Sequence, residues 1–209
     1  MLVDKTVKGF LDELASESPA PGGGSVAALC GSIASALCSM VCRLTIDKKK
    51  YEDVNDEFKT ILAKVESYRK EFTRLIDEDT NAFNLVMEAY RLPKASDEDK
   101  MKREKAIESA LKKAADTPME VLKHVSEMIE FSTIVAHKGN VNSLSDSSVA
   151  TLLLQSAGVA ALYNIIINLK LIKDQEYVEQ KQNEINIYTE KIESFSAVVK
   201  EIAQKNFVH

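Results

Sequence analysis

Gly22-Gly-Gly-Ser-Val-Ala-Ala-Leu-Cys-Gly-Ser-Ile-Ala-Ser-Ala-Leu-Cys-Ser-Met-Val-Cys42 carries no charged residue. A run of that length is long enough to cross a membrane. It is, however, built from Ala, Ser, Gly and Cys rather than Leu, Ile and Phe, and no second such span with its own flanks is read elsewhere. The small residues Ala27, Gly31, Ser35 and Ser39 predict instead a central helix that lets its neighbours approach closely. A helix apolar on every side belongs at the middle of a bundle or at a large subunit interface, so dimerisation through this helix is expected.

Working outward, Ser18-Pro-Ala-Pro-Gly-Gly-Gly-Ser25 precedes it. Prolines fix φ and glycines release it, so a loop of special geometry is expected, with Ser25 as the N-cap of the central helix. Residues 2–16 place Val3, Val7, Phe10, Leu11 and Leu14 on one face of a first helix. Beyond the basic turn Asp47-Lys-Lys-Lys-Tyr51, Phe58, Leu62, Val65, Phe72, Ile76, Phe83, Val86 and Tyr90 mark a very long helix that Pro93 ends. Ser96, Asp97, Glu98 and Asp99 open a charged helix to Asp116, and Thr117-Pro118 starts another that Gly139 closes. The polar loop Asn140–Asp146 leads into a second apolar helix through Leu169. A last amphipathic helix, from Asp174 to Ala203, carries Val178, Ile185, Ile192, Phe195 and Val199. The expected fold is an all-α, single-domain bundle of long helices over 1–209.

Composition agrees. Among 209 residues there are 7 Gly and 4 Pro, too few for the many turns of an all-β fold. The net charge of −5 gives no basic footprint for nucleic acid. Cys30, Cys38 and Cys42 are an odd count in one segment, which argues for buried structural thiols in a reducing cytoplasm rather than for disulfides. The charged amphipathic start, Met1 to Phe10, does not read as a signal peptide.

Three features exceed what a plain bundle needs. The Gly-rich loop at a helix start offers backbone N–H groups to an anion, or else is simply a tight turn. Asp79 occupies an apolar position in the stripe 72, 76, 79, 83, 86. A carboxyl there is desolvated toward a useful acid or base, unless the helix bends it to water or it caps a neighbouring helix. Asn140, Asn142, Ser145 and Asp146 cluster at the entry of the second apolar helix, with Ser145 or Asp146 as its cap, while Asn164 and Asn168 sit inside it. Buried amides need partners, so they either knit helices together or bind a heterocycle. His137 suits a helix C-terminus, His124 is expected on a solvated face, and His209 is terminal.

Taken together, Ser18-Pro-Ala-Pro-Gly-Gly-Gly-Ser25, Leu44-Thr-Ile-Asp-Lys-Lys-Lys-Tyr51, Asp79-Thr-Asn-Ala-Phe83 with Leu92-Pro-Lys94, and Gly139-Asn-Val-Asn-Ser-Leu-Ser-Asp146 resemble the cyclodeaminase/cyclohydrolase family of folate enzymes. That family includes the cyclodeaminase half of formiminotransferase-cyclodeaminase. The resemblance runs from about Val7 to Asp174, and Asp47 stands where the family more often has Gly. It implies a helical homodimer acting on tetrahydrofolate that carries a one-carbon unit, with no cofactor beyond that substrate and no metal.

In the cyclodeaminase reaction N10 attacks the N5-formimino carbon and ammonia leaves, giving 5,10-methenyl-tetrahydrofolate by acid/base chemistry. In the alternative, a cyclohydrolase, water opens the methenyl ring to 10-formyl-tetrahydrofolate. A non-enzymatic interaction module is the third reading, disfavoured by Asp79 and the Asn140–Asp146 cluster. On the resemblance, Asp79 is the leading acid/base carboxylate and Asp146 a second one or its orienter. Gly22, Gly23, Gly24 and Ser25 hold a polar or anionic part of the folate, Lys50 and Tyr51 its glutamate tail, and Asn140 and Asn164 the pterin or reacting centre. A polyglutamylated substrate and a separate formiminotransferase partner are compatible; nucleic acid and membrane are not expected.

Overall fold

Six α-helices follow from these signals: α1 Val7–Leu14, α2 Gly23–Thr45, α3 Asn55–Arg91, α4 Asp97–Lys138, α5 Leu144–Leu169 and α6 Gln175–Phe207. Short 3-10 turns cover Leu2–Asp4, Lys49–Val54 and Val141–Ser143. The computed structural model describes residues 1–207 and is 87% helical, with no strand among the described residues. His209 lies outside them.

Contacts fix the directions. Ser25 meets Ile76 and Ser32 meets Thr73, so α2 and α3 are antiparallel. Tyr68 meets Glu127 across α3 and α4, and Asn168 meets Ala114 across α4 and α5, both antiparallel. Tyr177 meets Asp116 and Lys191 pairs with Glu130, so α6 runs parallel to α4. One continuous core joins the elements through Ala28, Phe58, Phe72, Leu122, Met128, Leu154 and Ile165. The small residues of α2 do what they predict: a Cβ on Gly31 would lie 2.6 Å from the Phe72 ring.

The structure departs from the expectations in several places, each with a physical cause. The first helix is only two turns long, capped by the Thr6 hydroxyl, which accepts from Gly9 N–H at 3.0 Å. It buries Phe10 but leaves Val7 80% and Leu11 54% exposed. Pro118 does not start a new helix; α4 runs straight through it. A proline removes the N–H owed to the carbonyl four residues back, here Ala114. Asn168 Nδ2 donates to that carbonyl at 3.1 Å from α5, so the acceptor the proline leaves free is still paired and the helix continues.

The Ser96/Asp99 capping box is present. Gly139 ends α4 in an extended conformation, and a Cβ there would collide with the Val135 carbonyl. α5 begins at Leu144 with Ser143 at the cap position, so neither Ser145 nor Asp146 caps it; Asp146 lies in its first turn.

His124 is not solvated. Its ring packs edge-on against Tyr68 and Phe72, at centroid distances of 5.6 and 5.9 Å.

A second helix besides α2, covering Val141–Leu169, is also long and apolar enough to cross a membrane by length and composition. Nor is α2 covered on every side: Ile33, Met40 and Leu44 face outward, as do Val149, Leu152, Val159, Tyr163 and Ile167 on α5.

Candidate functional site

The Gly-rich loop feeds directly into α2, with Gly22 as N-cap and Gly23 as the first helical residue. No glycine in the described chain has positive φ. Gly23 and Gly24 therefore serve close approach rather than unusual dihedrals, whereas a Cβ on Gly22 would meet nothing. The group that approaches is Asp79 of α3: a Cβ on Gly24 would fall inside its carboxylate. Beside it, a Cβ on Gly23 would lie 3.2 Å from Asn164 Nδ2 of α5. Three helices thus converge on one backbone corner.

Ser25, expected to cap α2, sits two residues inside it. Its N–H donates to Asp79 Oδ2 at 2.8 Å, and its hydroxyl lies 3.0 Å from the same oxygen and 3.0 Å from the Ile76 carbonyl. Asp79 performs the capping, satisfying an N–H that the first turn of α2 leaves unpaired. The expected anion cradle is in this way filled from within, by the protein's own carboxylate. Burial pushes the Asp79 pKa above the ordinary aspartate value, against the pull of the two Ser25 hydrogen bonds. Asp79 Oδ1 accepts no hydrogen bond and keeps some accessible surface, so it is the freer of the two oxygens.

The other expected residues lie at the opposite end of α2. Asn140 donates its side-chain N–H to the Leu44 carbonyl at 3.0 Å, and its backbone N–H donates to Thr45 Oγ1 at 2.9 Å. The Tyr51 hydroxyl accepts from Val141 N–H at 3.0 Å, with Lys50 Nζ 5.6 Å from the Tyr51 ring centre. These contacts cap the C-terminus of α2 and brace the turn that follows. Asp146 stands one turn further on, half-buried.

At 1.5 Å per residue the two ends of α2 are about 34 Å apart. Within one chain, Gly22, Gly23, Gly24, Ser25, Asp79 and Asn164 come together, whereas Lys50, Tyr51, Asn140 and Asp146 form a second cluster. Asp79 and Asp146 are not a pair in one protomer.

Of the two α5 amides, Asn164 Nδ2 donates to its own Ala160 carbonyl at 2.9 Å, while Asn168 does the knitting to α4. Sequence reasoning missed Thr80, whose hydroxyl lies 3.5 Å from Ser25 Oγ. Its place next to Asp79 was the available signal.

Glu71, Glu120 and His124 bring ligand atoms within 4.8 Å of one another. Arg74 already bonds both carboxylates, however, so that charge is met inside the protein. Clefts of about 450 Å³ between α5 and α6 and about 590 Å³ around Glu104, Glu108 and Lys112 do not include Asp79. Its chemistry, not a cleft, makes the Asp79 corner the candidate site.

An up-and-down helical bundle with a half-buried carboxylate at a helix N-terminus, one oxygen free of hydrogen bonds, has the features of a protein that moves protons on a bound substrate. Comparison with known proteins makes this specific. The family described as Formiminotransferase-cyclodeaminase matches residues 6–187, and the chain belongs to it. It is 43% identical over 185 residues to the methenyltetrahydrofolate cyclohydrolase of Methylorubrum extorquens, covering 88% of this chain and 89% of that one. It is 31% identical to the formimidoyltransferase-cyclodeaminase of Mus musculus over 95% of this chain, but spans only 37% of the mouse protein. The crystal structure of formiminotetrahydrofolate cyclodeaminase from Thermotoga maritima superimposes with a TM-score of 0.89 at 31% identity over 98% of both chains. The chain is an enzyme of folate one-carbon metabolism.

Proposed function

We propose that the chain is a methenyltetrahydrofolate cyclohydrolase, working with Asp79 as general base and acid. The observation that carries acid/base catalysis at this corner is the carboxylate seated at the start of α2 with Oδ1 free. A helix N-terminus already holding a carboxylate takes a cation in preference to a second anion. The methenyl bridge of the substrate is such a cation.

Asp79 takes a proton from water as the water oxygen bonds to the bridging carbon. The N5–carbon bond then breaks and the proton passes to N5. The remaining hydroxyl proton leaves to solvent as the formyl C=O forms. A raised carboxyl pKa suits both halves of this exchange near neutrality.

The motifs serve both activities, and the family resemblance puts formimidoyltetrahydrofolate cyclodeaminase somewhat ahead; it remains the second reading, supported by the Thermotoga likeness. The 43% relative, matched over nearly the full length of both chains, supports the reverse order. A protonated formimino group is also a cation, so the same corner serves either reaction. For the cyclodeaminase the formimino substrate would come from a separate transferase.

Gly23 and Asn164 are proposed to hold the pterin. A homodimer across the exposed apolar faces of α2 and α5, with its two-fold axis perpendicular to α2, would bring the Asp146 end of one protomer beside the Asp79 end of its partner. Asp146, Asn140, Lys50 and Tyr51 would then complete the site and bind the glutamate tail. The setting proposed is the cytoplasm.

Two substrates in one absorbance assay test the function. Loss of methenyl absorption faster than in buffer establishes the hydrolase. Growth of that signal from 5-formimino-tetrahydrofolate, with ammonia released, establishes the cyclodeaminase instead. Inertness toward both overturns the enzyme assignment to this site.

A further inference from the structure

We infer that Ser25 is a positioning residue for Asp79, not a ligand of the substrate: its two donors converge on Oδ2 and thereby direct the exchangeable proton to Oδ1. The inference rests on Asp79 being the acid/base group proposed above.

Ser25 has no exposed surface, so a folate cannot reach its hydroxyl without opening the bundle. Its N–H and its O–H both address the same carboxylate oxygen, at 2.8 and 3.0 Å, and no donor addresses the other. An oxygen that accepts two hydrogen bonds is the poorer place for a proton. The acid form is therefore carried on Oδ1, the oxygen that stands over Gly24 and keeps some accessible surface. A proton lodged on Oδ2 would point into the protein and be useless to a bound substrate.

The Ser25 hydroxyl has one proton and two acceptors at 3.0 Å, Asp79 Oδ2 and the Ile76 carbonyl. As Asp79 changes charge the hydroxyl can turn between them, donating to the carboxylate when it is ionised and to the carbonyl when it is not. Both states are then satisfied without moving the backbone. The Thr80 hydroxyl lies 3.5 Å from the Ser25 hydroxyl.

The test uses the full chain with Ser25→Ala and Ser25→Thr. Carbon-13 NMR of labelled aspartates follows the Asp79 carboxyl without substrate, assigned by its loss in Asp79→Asn. In Ser25→Ala the ionised carboxylate loses one hydrogen bond, so its titration should move up by about one pH unit. The acid limb of kcat/KM should move with it, KM should stay within about twofold, and Ser25→Thr should restore both pH values. An unmoved carboxyl titration in folded Ser25→Ala would overturn the inference, as would a tenfold rise in KM with the acid limb in place. A moved titration in a protein whose wild type turns over neither folate would refute the proposed function while upholding Ser25's hold on the carboxyl.

Discussion

Asp79 is the residue on which most depends, and its environment fixes the sign of the effects. Its folded pKa lies above the ordinary value because burial outweighs the Ser25 hydrogen bonds. The folded state therefore binds this proton more tightly than the unfolded chain. That contributes stability fully present in acid, below the ordinary aspartate pKa, and lost as pH rises through the folded pKa. Asp79→Asn keeps an oxygen for Ser25 and cannot ionise, so at pH 7 its melting temperature should equal or exceed that of the wild type. Its kcat/KM should fall about a hundred- to ten-thousand-fold; calorimetry and the absorbance assay separate the two. Gly24→Ala should do the opposite to stability, costing about 1–3 kcal/mol as the carboxylate is pushed away, with activity lost as well. Asp47 has φ 57, a left-handed value that burdens a residue with a Cβ. Asp47→Gly should stabilise by about 0.5–1 kcal/mol in a denaturant titration. The departure from the family's glycine was visible in the sequence, but its backbone meaning was not. Asp79 was legible because one carboxylate interrupts an apolar stripe. That it reaches across to α2 was beyond reading, since the partner lies 54 positions away.

Among the elements, α4 shows where local rules give way to tertiary ones. Thr117-Pro118 carries every mark of a helix start, yet Asn168 supplies the donor that the proline lacks and the helix continues. Asn168→Leu should leave the Ala114 carbonyl unpaired and cost about 1–3 kcal/mol. Hydrogen exchange should show the loss concentrated in the turns around Pro118. The paired asparagines were legible as a feature needing partners; which partner each had depended on the neighbouring helix. Long helices with strong periodicity, α3 and α6, were readable from sequence because one buried face repeats along them. The first helix was not: eight residues give too few repeats to show which side is covered.

At the scale of the molecule, the apolar faces of α2 and α5 are the feature that a single chain leaves incomplete. If they pair, light scattering should give about twice the 23.2 kDa chain mass. Tyr163→Glu, placing a charge on a residue now 67% exposed in the protomer, should return the protein to monomer and abolish turnover together. The bundle was legible as a whole from composition and period, whereas the separation of the candidate residues to the two ends of α2 was not, because linear order says nothing about which ends meet. The cysteines of that helix have a use of their own. Cys38 and Cys42 are fully buried, with thiols pushed to about 12, while Cys30 is only half-covered. A thiol reagent should thus mark Cys30 ahead of the other two, which react only when the bundle breathes. The slow phases would serve as a clock on the opening of α2, and folate bound at its N-terminus, as proposed, should make that clock run slower.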